Sequence, residues 1–107
     1  MVKIQEIDAI ILTTTYKESI KSTINFLENI CKECLKVKKE FNVKPVLVFE
    51  KKEYKKYLKI KNYFKNKKIS PYILVNNIGS GFPSCLNYGI RNTNSRWILR
   101  IDTDDIL

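Results

Sequence analysis

Three carboxylates fall within four residues near the end of the chain, at Asp102, Asp104 and Asp105. Charges this close repel one another unless a cation gathers them. Oxygen donors of this kind suit Mg²⁺ or Mn²⁺, which take one or two carboxylates together with waters and substrate phosphates. The plainer alternative is a solvated acidic turn, because Asp favours turns in any case. A second group with chemical potential is Thr13-Thr14-Thr15-Tyr16, hydroxyls and a ring that close an apolar run. Histidine is absent. Within this chain that excludes Ser-His and Cys-His nucleophile pairs and the HExxH metal site. The three cysteines are Cys31, Cys34 and Cys85. Cys31 and Cys34 have C-x-x-C spacing, but they lie in a helical pattern with no second pair to complete four zinc ligands. They are expected as reduced thiols on a buried helix face in a cytoplasmic compartment.

The 107 residues amount to a single domain, residues 1–107, with enough apolar mass for one core. No run is long enough to span a membrane, and the N-terminus lacks the order of a secretory signal. The net charge of +9 is uneven: residues 32–68 hold 14 of the 20 basic groups and four acids. Seventeen of the basic residues are Lys, whereas sequence-specific nucleic-acid readers rely on Arg. The basic stretch is expected as a solvated face with no specific nucleic-acid role. It retains the capacity to meet anionic lipid at the inner face of a membrane, or a negatively charged substrate.

Positioning these groups requires ordered elements, and hydropathy supplies them. Ile7 to Thr13 is a short apolar run that predicts a buried strand. Apolar residues at Ile20, Ile24, Leu27, Cys31, Cys34 and Leu35, with Phe41 beyond, predict an amphipathic helix over 18–41 that Pro45 ends. Val46 to Glu50 reads as a second strand. Residues 53–66 form a second helix, with Tyr54, Tyr57, Leu58 and Phe64 on its inner side. Pro71 to Val75 is a third strand, followed by a loop through Gly79 and Gly81. Pro83 suits the first turn of a short helix to about Asn92. Arg96 to Asp102 is a fourth strand with Trp97 expected in the core. Repeated strand-helix alternation with continuous apolar strands predicts an α/β fold with right-handed crossovers and a parallel sheet. In a doubly wound sheet of order 3-2-1-4, the carboxyl ends of strands 1 and 4 flank one crevice, where ligands bind. Thr13 to Tyr16 and the acidic group then face each other.

Residues 79–90 (GSGFPSCLNYGI) and 97–105 (WILRIDTDD) resemble the family 2 glycosyltransferases of the Rossmann-like GT-A fold. Gly81 matches the glycine of the family's Asn-x-Gly loop, and Asn87, Gly89 and Ile90 match its Asn-x-Gly-Ile helix. Trp97 matches the aromatic that leads the strand, and Arg100 to Asp105 match the D-x-D strand. Leu12 to Tyr16 aligns with Ile-Pro-Thr-Tyr, with Thr14 replacing Pro and Thr15 and Tyr16 on the nucleotide-contacting pair. Gly79 stands where the family has Asn, and Glu50-Lys51 replaces an acidic pair, leaving only Glu50 to meet the base.

The resemblance implies a nucleotide-diphosphate sugar, a UDP-sugar before others, bound by Thr14, Thr15, Tyr16, Glu50, Gly81, Asn87, Arg100, Asp102 and Asp104. It implies a divalent metal on Asp102, Asp104 and Asp105, with Asp105 the rival of Asp104 for direct ligation. The product would be a cell-surface polysaccharide or glycoconjugate. The family domain continues well past the D-x-D motif, through an acceptor site and catalytic base that match nothing here, so the domain is expected to be incomplete. Its exposed strand edge would favour self-association. Two other readings remain open at this point: a catalytically inactive nucleotide-binding fragment, and a basic α/β module for RNA or anionic lipid.

Overall fold

The computed structural model describes residues 7–14, 19–67 and 71–101, without the side chains of Ile7 and Phe82. The strands are β1 (Ile7–Thr14), β2 (Val43–Glu50), β3 (Tyr72–Asn76) and β4 (Ser95–Arg100). The helices are α1 (Ile20–Val37), α2 (Tyr54–Phe64) and α3 (Phe82–Arg91), with a short 3-10 turn, Lys51–Glu53, between β2 and α2. All pairings are parallel, and the order is β3-β2-β1-β4, as the alternation predicts.

The sheet lies between two helical layers. On one face Leu47 and Phe49 pack with Phe26, Leu27, Ile30 and Cys34 of α1 and Ile60 and Phe64 of α2. On the other, Ile10, Leu12, Val46 and Val48 pack with Cys85 of α3. Burial on both faces explains why β1 and β2 read as unbroken apolar runs. A Cβ added at Gly89 would lie 2.5 Å from Leu12 Cδ1 and 3.0 Å from Val48 Cγ2, so glycine lets α3 seat closely on the sheet. Ser19 caps α1, its hydroxyl accepting from the Ser22 amide at 3.1 Å. The start of β1 is fixed reciprocally: Asp8 donates its amide to Asn42 O, and its carboxylate accepts from the Asn42 amide at 2.7 Å.

Several expectations need correction. α1 ends at Val37, so Phe41 lies beyond the helix and is exposed, as is Leu35. Pro45 lies within β2. It is tolerated because β3 begins pairing only at Val46, leaving Pro45 with a neighbour on the β1 side alone. α2 buries Ile60 and Phe64, whereas Tyr54 and Leu58 are about half exposed. Trp97 is not in the core. It is 73% exposed, with Ile98 and Leu99 also exposed, because β4 is the sheet edge and the helices sit over the other three strands. No helix among the described residues is long and apolar enough to cross a membrane.

Candidate functional site

The winding of the sheet reverses between β1 and β4. Their carboxyl ends are held together at atomic level: Ile101 N donates to Leu12 O at 3.1 Å, and Thr13 Oγ1 donates to Ile101 O at 2.9 Å. Thr13 is buried, so its hydroxyl is committed to this clamp. Thr14, the last residue of β1, is half-buried in register with Val48. Arg100 ends β4, exposed and in register with Leu12. Thr15, Tyr16, Asp102, Asp104 and Asp105 lie outside the described residues. Among the described residues, no group of three or more His, Cys, Asp or Glu could hold a metal ion.

A second network lies at the carboxyl ends of β2 and β3, where Glu50 and Asn76 are in register. Asn76 is fully buried. Its Oδ1 accepts from the amides of Ile78 at 3.1 Å and Gly79 at 3.2 Å, which turns the loop immediately after the strand. Its Nδ2 donates to Ser84 Oγ at 2.9 Å, tying that loop to α3. Glu50 Oε1 accepts from the Gly81 amide at 3.1 Å, and Lys52 Nζ lies 3.3 Å from Oε2. Gly81 precedes α3 with φ +90°, a backbone region that favours glycine. The Glu50 side chain is only 15% exposed. It thus positions the glycine loop, and any contact with a base would add to that role.

Asn87 is exposed on α3. Sequence reasoning missed Asn76 and Ser84. The available signal was a polar residue ending an apolar strand, eight positions before a helical serine. Cys31 and Cys34 are buried on α1, and Cys85 on α3, as free thiols. Burial, with Cys34 nearby, pushes the Cys31 thiol up to about 11 and opposes thiolate formation. Burial also raises the pKa of Cys34 and Cys85. Neither nucleophilic nor zinc chemistry is favoured at such thiols. No protein-family model, curated protein or solved structure matches the chain.

Proposed function

We propose that this chain is the nucleotide-sugar-binding part of a family 2-type glycosyltransferase, acting in the cytoplasm on a nucleotide-diphosphate sugar, a UDP-sugar before others. The observation that carries the reading is the β1–β4 neighbourhood. These parallel strands meet where the winding reverses, and the Thr13–Ile101 clamp joins their carboxyl ends. Such a point is where open α/β sheets bind ligands. The Thr15-Tyr16 pair and the acidic group follow these two strand ends directly in sequence. The Glu50–Gly81 bond supports the reading further, since it fixes a glycine loop beside the same end of the sheet.

The donor set of Asp102, Asp104 and Asp105 is all oxygen, which fits Mg²⁺ or Mn²⁺. When bound, such an ion neutralises charge on the departing nucleoside diphosphate. Deprotonating an acceptor hydroxyl needs a further carboxylate, and no residue of this chain is assigned that role.

Calorimetric titration with UDP in Mn²⁺ and in EDTA tests the reading. Mn²⁺ is expected to raise affinity, Asp104→Asn to abolish the gain, and Lys55→Ala, at an exposed position of α2, to preserve it. Equal affinity of the folded wild type in Mn²⁺ and EDTA would overturn the proposal.

A further inference from the structure

The sheet has a second edge, β3, and a groove of about 590 Å³ runs between that strand and α2. Leu58, Phe64 and Ile73 give it apolar walls, and Lys61 and Lys65 stand on its helix side. A volume of this size is typical of ligand sites. Its shape narrows the choice, because one wall is an edge strand whose outward backbone groups have no sheet partner among the described residues.

We propose that this groove docks an extended acidic segment of a partner protein, added alongside β3 as a further strand. The proposal does not rest on the nucleotide-binding reading, whose β1–β4 crevice is separated from β3 by β2. Main-chain pairing would supply affinity and the groove would read alternate side chains. Charge and spacing set the sign and the pattern. Lys61 and Lys65 are four residues apart, about 6 Å along a helix. Side chains two apart on a strand, on one face, are about 6.6 Å apart. Acidic residues at alternate positions therefore match the two lysines in step. No carboxylate is among the described residues lining the groove.

Lys61 Nζ donates to Tyr57 Oη at 3.0 Å, which holds the ammonium while leaving two protons for a ligand. On the other face of the edge, Lys44 Nζ lies 4.6 Å from the centre of the exposed Tyr72 ring. Both faces of an added strand thus meet positive charge, and acidic side chains on either are favoured over basic ones.

The test uses the whole chain and a fluorescein-labelled peptide of alternating glutamate and valine, read by polarisation. Binding is expected, with slowed amide exchange at Tyr72, Ile73 or Leu74. The double variant Lys61→Glu/Lys65→Glu should weaken it at least about tenfold, since two exposed pairs are lost and replaced by repulsion. Both residues are exposed, so unchanged circular dichroism and melting are expected for the variant. A peptide N-methylated at alternate amides should not bind. The proposal is overturned if the acidic peptide fails to bind, if a lysine-valine peptide binds equally, or if N-methylation has no effect. It is also overturned if laurate, single-stranded RNA or phosphatidylglycerol vesicles protect these amides while the peptide does not.

Discussion

Replacing Asn76 with alanine should be among the most damaging single changes in the described part of the chain. The side chain is fully buried and serves both the loop after β3 and the start of α3. Alanine removes the acceptor for two partly buried amides, those of Ile78 and Gly79. Each buried donor left without a partner costs about 1–3 kcal/mol, and partial access to water puts these two at the low end. Losing the Nδ2 bond to Ser84 and leaving a small void adds about 1 kcal/mol. The sum is about 3 kcal/mol, equivalent to a fall in Tm of roughly 10–20 °C for a domain of this size. Ser84→Ala removes only one of these bonds and should cost about 1 kcal/mol or less. Urea unfolding followed by circular dichroism measures both, and an unchanged slope would show that the change lies in stability and not in compactness. Limited proteolysis should show earlier cleavage around residues 77–81 in Asn76→Ala. A loss below about 1 kcal/mol, or equal losses for the two variants, would refute Asn76 as the hub of the loop.

The apolar surface of β4 should drive concentration-dependent self-association. Trp97→Lys combined with Leu99→Lys should suppress it in sedimentation velocity while leaving stability nearly unchanged, because both side chains are already exposed. A wild type that stays monomeric at every concentration would count against this. The Cys31 thiol should make stability fall with pH. Its ordinary value is 9.0 and its folded value about 11, so between these limits the unfolded state holds fewer protons and the contribution fades as pH rises. Comparing urea unfolding of wild type and Cys31→Ala from pH 8 to 11 isolates a difference of up to about 2–3 kcal/mol. A pH-independent difference would argue against the burial effect.

The strand order was legible because the central strands β1 and β2 are buried on two faces and therefore apolar at consecutive positions, while α1 carries a clear helical period. The uncovered state of Trp97 was not legible. Hydropathy records what a side chain favours and not whether another element lies above it. The same limit hid the inward turn of α2: Tyr54, Leu58 and Ile60 are all apolar enough to face inward, and only packing beneath α1 and the sheet selects Ile60. Asn76 was missed for a different reason. Asn commonly occupies loops, and only the tertiary approach of Ser84 turns it into a buried junction. Glu50 was read as a ligand contact, yet the Gly81 amide 31 residues away gives it a positioning role that local sequence does not reveal.

Paramagnetic broadening by Mn²⁺ in the presence of UDP tests the central claim most directly, because it reports where the ion resides and not merely that nucleotide binds. With Mg²⁺ as the diamagnetic reference, amide signals of Asp102, Asp104 and Asp105 should be lost, and those of Thr13, Thr14 and Ile101 with them, since the latter form the carboxyl ends of β1 and β4. Signals from the exposed lysines of α2 should persist. Broadening centred on α2, or spread evenly over the basic surface, would contradict a metal-diphosphate site between β1 and β4.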